Sequence, residues 1–333
     1  YVEITLTARA GQKVKLTCGE ALDENGNFYT ENLSWAKATD TYILSGGKQT
    51  LHPHFTWHGF RYICVEGLQY GQNVQFTACH LSTDLAQTGH FTCSDKRVNR
   101  LQQNIQWSQR DNFLDIPTDC PQRDERLGWT ADTQVFAETG TFFANTMKFF
   151  HKWMRDMRDT QNSLGGFPGV APLAQYGDEK MRLGWADAGI IVPWTVWKQF
   201  DDTQIIEENW NAMDLFMNHI NDTKYNHETL CGENGNYQWA DWLSYEPLES
   251  CSGLAFSPQG PLPDAVSYWN YLSASYWVID AFMMRDMAAA TGRDAAKYQQ
   301  MADSAKAYIK KNFLNEDGTF KTAILNTMQT PAL

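Results

Sequence analysis

The feature that most constrains the fold of this chain is a change of hydrophobic period near residue 88. Upstream, VEITLTA, KVKLTCGE, DTYILSG, RYICVEGL and VQFTACHLS are short segments rich in Val, Ile, Thr and Tyr. The turn signals DENGN, SGGK and QYGQN separate them. Alternation of this kind puts one face of each strand on a core and the other toward solvent. Several such strands in succession predict an antiparallel β-sandwich over residues 1–87. From Ser94 the apolar residues recur at helical spacing instead. SDKRVNRLQQNIQWSQRDNFL opens with a good cap and carries Val98, Leu101, Ile105 and Trp107 on one side. TADTQVFAETGTFFANTMKFFHKWMRDMRDTQ reads as a longer helical stretch that Gly140 bends or breaks. ADAGIIVPWTVWKQF, DTQIIEENWNAMDLFMNHIND, DAVSYWNYLSASYWVIDAFMMRDMAAATG and DAAKYQQMADSAKAYIKKNFL follow, giving at least six helices. The chain is therefore mainly α with an N-terminal β domain, divided into residues 1–87 and 88–333.

Long irregular connections, at roughly 112–129, 161–185 and 224–262, interrupt the helices. Loops of that length in a compact domain tend to carry function. Antiparallel helices joined alternately by short and long connections form a ring of hairpins, an (α/α) barrel, whose long loops gather at one end. Each long loop brings Trp and carboxylate together. The first, DIPTDCPQRDERLGWTAD, holds Asp119, Arg123, Asp124, Glu125, Trp129 and Asp132; the second ends on Trp185 and Asp187; the third holds Trp239, Asp241, Trp242 and Glu246. A Trp with an Asp close behind it thus recurs as WTAD, WAD and WAD. With 13 Trp, 14 Tyr and 18 Phe, the chain has ring faces enough to wall a sugar site. The net charge of −12 argues against nucleic acid and anionic membrane as partners. No apolar run reaches the about 18 residues of a membrane span.

Carboxylates converging on Trp-walled space suit glycoside hydrolysis, in which one protonated carboxyl donates to the leaving oxygen and a second carboxylate activates water or attacks. The acid needs a raised pKa, which neighbouring carboxylates and apolar walls supply. Glu125 is the one Glu of the first cluster, with Asp119 and Asp132 flanking it; spacing alone leaves it between proton donor and structural ion pair. Arg123 and Arg126 suit holding carboxylates or hydrogen-bonding sugar hydroxyls, while Asp115, Asp124 and Arg126 are read first as structural ion pairs. Cys120 is read as a small buried residue, since no His lies near it in sequence. The seven Cys contain no CxxC pair, and no GxSxG, P-loop or GxGxxG is present. His52, His54 and His58 fit one face of a single strand with no carboxylate nearby, a structural pattern, so no metal and no cofactor are expected. DENGNFYTE is read as a hairpin turn because it lacks the flanks of a calcium-binding loop.

DCPQRDERLGWTAD closely resembles the signature DCPQRDERLGWTGD of glycoside hydrolase family 78, the α-L-rhamnosidases, with Ala131 in place of the usual Gly. The resemblance extends over nearly the whole chain. EALDENGNFYTENLSWAKATDTYIL and FTWHGFRYICVEG look like the β-sandwich ahead of the catalytic barrel; GWADAGIIVPW and WADWLS look like later barrel motifs, and MQTPAL like the start of a later helix. The resemblance implies an (α/α)6 barrel and an inverting mechanism. It implies Glu125 as general acid, with Asp119, Arg123, Trp129 and Asp132 lining the rhamnose subsite. Trp185, Asp187 and Trp242 match the later motifs more loosely, and Asp187 and Asp241 are expected as substrate contacts. The family's general base is a Glu well past the QT-AL segment. With no initiator Met, and a helix start at Thr330 and Pro331 close to the last residue, the chain is expected to be a fragment with an incomplete barrel. The implied partner is a rhamnose-containing glycoside or plant polysaccharide, and a homodimer is allowed. Two rivals are another exo-glycosidase on the same barrel and a non-catalytic carbohydrate-binding protein.

Overall fold

A computed structural model of the chain describes residues 1–174, 181–222, 256–257, 260–261 and 263–321. The chain divides into two compact units, Tyr1–Ala86 with His90–Gly128, and Gln87–Gly89 with Trp129–Leu333.

The first unit is built on β1 (Val2–Ala8), β2 (Lys13–Gly19), β3 (Ala21–Leu22), β4 (Phe28–Tyr29), β5 (Thr39–Ile43), β6 (Gly47–Leu51), β7 (Tyr62–Glu66) and β8 (Val74–Ala78). Two antiparallel three-stranded sheets, ordered β6-β1-β8 and β5-β2-β7, make the expected sandwich. Alternation decides the faces. Val2, Ile4 and Leu6 of β1 and Val14, Leu16 and Cys18 of β2 are buried in one core with Leu33, Ala38 and Leu44. Burial of each large aliphatic side chain contributes roughly 1.5–3 kcal/mol, and a one-residue slip of β1 against β6 would turn its set outward.

The SGGK turn is tighter than its composition suggests. Gly46 and Gly47 take the left-handed backbone, and the chain pairs from Gly47 onward as β6, with Ile4 opposite Leu51. DENGN closes the β3–β4 hairpin as expected. The Asp23 carboxylate accepts the Asn25 and Asn27 backbone N–H groups at 2.9 and 2.7 Å, and Gly26 supplies the positive φ. The histidines depart from expectation. They do not share one strand, and His58 Nε2 lies 3.2 Å from Asp40 Oδ1. The carboxylate comes from β5, distant in sequence and so invisible to local spacing.

Helix α1 (Lys96–Asn112) belongs to the same unit. Asp95 caps it, accepting the Arg97 N–H at 2.8 Å. Its predicted apolar side is largely exposed at Val98, Leu101 and Trp107, while Gln109 is buried.

The second unit is helical: α2 (Thr130–Phe143), α3 (Met147–Asp159), α4 (Ala188–Phe200), α5 (Gln204–Asp222), α6 (Pro263–Ala290) and α7 (Ala295–Phe313). Short connections at 144–146, 201–203 and 291–294 pair them as α2/α3, α4/α5 and α6/α7, and longer ones separate the pairs. This alternation is that of a helical-hairpin ring, and three hairpins lie among the described residues.

The break between α2 and α3 falls four residues after Gly140, because the end of α2 docks on residues 87–89. The Phe143 carbonyl accepts N–H groups from Thr88 and Gly89 at 3.0 and 3.2 Å, and Ala144 turns extended. A Cβ on Gly89 would stand 1.7 Å from the neighbouring Phe142 carbonyl oxygen, so the contact requires glycine. Helix α4 is apolar on every side, with Ile190, Val192 and Val196 fully buried, and packs against α2, α3, α5 and α6. Gly189 lets the Phe167 ring reach it; a Cβ there would lie 2.2 Å from the ring. Among the described residues no helix is long and apolar enough to cross a membrane.

Candidate active site

The charged loop of the first unit starts from a tight pair of two-residue strands, β9 (Phe113–Leu114) and β10 (Ile116–Pro117), with Asp115 at φ 66 between them. Thr83 ties the pair down: its N–H donates to the Phe113 carbonyl at 2.8 Å and its hydroxyl accepts the Asp115 N–H at 2.9 Å. The loop then closes on itself. Asp119 N–H donates to the Leu127 carbonyl at 3.0 Å, and Asp119 Oδ1 accepts the Leu127 N–H at 2.8 Å. Residues 120–126 are thus held as a bulge between two anchored ends.

Inside this bulge the Arg123 guanidinium lies between two acids. It pairs with Glu125 Oε2 and stands 3.6 Å from Asp119 Oδ2. The Asp119 side chain is 7% exposed and that of Glu125 26%, so Glu125 is the more accessible carboxylate. Arg126 holds a left-handed φ of 52. That conformation costs a non-glycine residue on the order of 1–3 kcal/mol. Two contacts offset it: Arg126 donates to the Trp57 carbonyl at 2.8 Å and stacks 5.2 Å from the Trp57 ring centre. The strained turn presents Glu125, the residue before it. Ligand atoms of Asp119, Cys120 and Glu125 lie within 4.8 Å of one another, the spacing of a metal site; here the Arg123 guanidinium supplies the positive charge. Burial pushes the Cys120 thiol up to about 11, which disfavours a thiolate nucleophile.

In the second unit, Trp129 is half-buried at the head of α2, and Asp132 is exposed in its first turn, where the positive end of the helix dipole favours a carboxylate. Thr130 fixes that end, its N–H and hydroxyl both donating to the Gly169 carbonyl at 2.9 Å. The second Trp–Asp motif has a different geometry. Trp185 is 6% exposed and Asp187 fully buried. Asp187 precedes α4 without capping it; its Oδ2 turns back to accept the Gly184 N–H. The two described Trp–Asp pairs are therefore not a structural repeat. Asp241 and Trp242, with Trp239 and Glu246, lie outside the described residues.

Asp187, expected as a substrate contact, is fully buried here, with its Oδ2 turned to the Gly184 N–H. Its neighbour there went unrecognised in the sequence: Asp280, midway along α6 and also fully buried. The signal was present in YWVIDAFMM, a single carboxylate inside an apolar helical run. Burial first, and then the facing Asp187, push the Asp280 carboxyl well above the usual range; burial raises Asp187 to about 6. Arg126, read as half of an ion pair, has a carbonyl and an indole as its partners.

Residues 1–82 match the family described as the bacterial alpha-L-rhamnosidase concanavalin-like domain, and residues 86–332 match its 6 hairpin glycosidase domain. An alpha-L-rhamnosidase from Streptomyces avermitilis is 33% identical over 323 residues, which are 96% of this chain and 29% of that protein. The crystal structure of a Streptomyces avermitilis alpha-L-rhamnosidase complexed with L-rhamnose superposes with a TM-score of 0.82 at 32% identity, covering 96% of this chain and 29% of that one. A native rhamnosidase from Aspergillus terreus gives 0.83 at 31% identity, covering 96% and 36%. Sandwich, helical hairpins and matched ranges together define a glycoside hydrolase fold of the six-hairpin class. The chain belongs to the bacterial alpha-L-rhamnosidase family, glycoside hydrolase family 78. It spans about a third or less of the length of the curated relatives it matches.

Proposed function

We propose that this chain forms the acid-bearing part of an inverting α-L-rhamnosidase that releases terminal α-L-rhamnose from glycosides or plant polysaccharides. Glu125 protonates the leaving oxygen while water attacks the anomeric carbon from the opposite face. Asp119 and Arg123 set the position of Glu125, and Arg123 yields the Glu125 oxygen to the substrate when sugar enters. Trp129, Trp185 and Trp242 supply ring faces; Asp132 and Asp241 receive hydroxyls. Asp187 enters the reading as a support for the Trp185 turn. The carboxylate that activates water, which stands about 6.5–9.5 Å from the acid in inverting enzymes, is placed beyond residue 333. We place the domain boundary at residues 87 and 88, in keeping with matched ranges that end at 82 and start at 86.

The observation that carries the reading is the Asp119–Arg123–Glu125 cluster on a strained, doubly anchored loop that bears the family signature. The test is a panel of aryl glycosides offered to the full-length natural protein, with the product anomer followed by proton NMR. Cleavage of the α-L-rhamnoside alone, with β-L-rhamnose appearing first, is expected. Preference for another glycoside, first release of the α-anomer, or rhamnose binding without turnover would contradict it.

A further inference from the structure

Four hydrogen bonds make a closed circuit around the turn that carries Trp185. Gly184, at φ 92, donates its N–H to Asp187 Oδ2, while its carbonyl accepts Gln134 Nε2 at 2.6 Å. The same Gln134 nitrogen lies 3.3 Å from Tyr276 Oη on α6. One helical turn beyond Tyr276, Asp280 meets Asp187 side chain to side chain. With both carboxyls ionised, Asp187 Oδ1 and both oxygens of Asp280 would be buried without a donor among the described residues. Two anions in contact inside a dry core are prohibitive. A single proton between them converts the repulsion into an O–H···O bond and closes the circuit from α6 through Asp280, Asp187, Gly184 and Gln134 back to α6.

We propose that Asp280 is a positioning residue, sharing one proton with Asp187 so that the Gly184–Asp187 turn, and Trp185 on it, are held in place. The role of Trp185 here rests on the proposed function, in which it walls the sugar site; the carboxyl pair does not. Burial raises both carboxyls first, and the proton resides on Asp280, because the Gly184 N–H already donates to the Asp187 carboxylate. Several charged groups of the helices packed here are engaged elsewhere: Glu207 with Arg293, Glu208 with His151, Asp214 with Lys297, Arg285 with Asp286, and Lys198 and Lys306 over the Trp197 and Phe282 rings.

A raised carboxyl means that the folded protein binds protons the unfolded chain has already lost. The pair's contribution is therefore complete below the ordinary Asp value near 4. It declines as pH rises, through about 6 for Asp187 and further for Asp280. Asp280→Asn keeps a donor toward Asp187 and has no proton to lose; Asp280→Ala leaves Asp187 alone.

The experiment compares both variants with wild type in the full-length protein, by thermal unfolding from pH 4 to 8 and by kinetics on an aryl α-L-rhamnoside. The Tm of Asp280→Asn should rise relative to wild type as pH increases. Asp280→Ala should raise KM, lowering kcat/KM by up to about 100-fold, and Asp280→Asn should restore it. A Tm difference independent of pH overturns the shared proton, and equal kinetics for the two variants overturn the positioning role. If Asp280→Ala does not fold, the Asp280→Asn kinetics and Tm series decide: a KM raised in that variant as well overturns the positioning role. A protein with no rhamnoside turnover that still shows the pH-dependent Tm difference would refute the proposed function and the role of Trp185 in it while leaving the carboxyl pair standing.

Discussion

Arg126 shows what a single residue in the signature loop does besides chemistry. It sits in a left-handed backbone and is held there by the Trp57 carbonyl and ring. Arg126→Ala removes a charged hydrogen bond and the stack while keeping the strained φ, so it should destabilise the protein by about 1.5–3 kcal/mol, read as a lower midpoint in urea with unchanged slope. A midpoint equal to wild type would contradict the anchoring role. The sequence marked Arg126 as charged and adjacent to acids, which suggested an ion pair. Its partner lies 69 residues upstream, and nothing local encodes that. Glu125 was legible for the opposite reason: the residues that frame it, Asp119 and Arg123, are its near neighbours in the chain. Asp187 lay between these cases. Its place after Trp185 was legible, but its side-chain contact with Asp280, 93 residues further on, leaves no mark in the spacing.

At the scale of elements, hydrophobic period located the helices well, and contacts distant in sequence set their ends. The long pattern from Thr130 to Asp159 divides at Ala144–Thr146 because residues 87–89 take the Phe143 carbonyl, whereas Gly140, the local breaker, stays inside α2. Gly89→Ala would drive a Cβ into the Phe142 oxygen. The adjustment should cost about 1–3 kcal/mol, checked by thermal unfolding, and a Tm matching wild type would show that the 87–89 segment does not fix the end of α2. The same contrast holds in the sandwich. Alternation in β1 and β2 is matched by the burial of Val2, Ile4, Leu6, Val14 and Leu16 on one face of each strand. Strand β6, with Gly47 at its head and polar residues at 48–50, has no apolar alternation and is recruited by pairing with β1. Helix α1 carries an apolar stripe as the period predicted, yet Val98, Leu101 and Trp107 are more exposed than Gln109, because a period states which residues share a side and not which side is covered.

Across the whole molecule, the switch of period near residue 88 and the signature loop were enough to anticipate a sandwich followed by helical hairpins, and the family match covers both. The two compact units cut the chain elsewhere, after Gly128, so α1 and the Asp119–Arg123–Glu125 loop pack with the sandwich residues, through Thr83, Gly59 and Trp57. The proposed acid thus hangs from the β unit by contacts that the helical period could not reveal. The central claim is that Glu125 is the proton donor, and leaving-group dependence tests it most directly. Glu125→Gln in the full-length protein removes the proton and keeps the shape. Turnover of α-L-rhamnosides with poor leaving groups, which need protonation, should fall by on the order of 100-fold or more, while those with strongly acidic leaving groups are affected much less and Tm stays near wild type. Near-wild-type turnover of the poor leaving groups in Glu125→Gln would contradict the assignment.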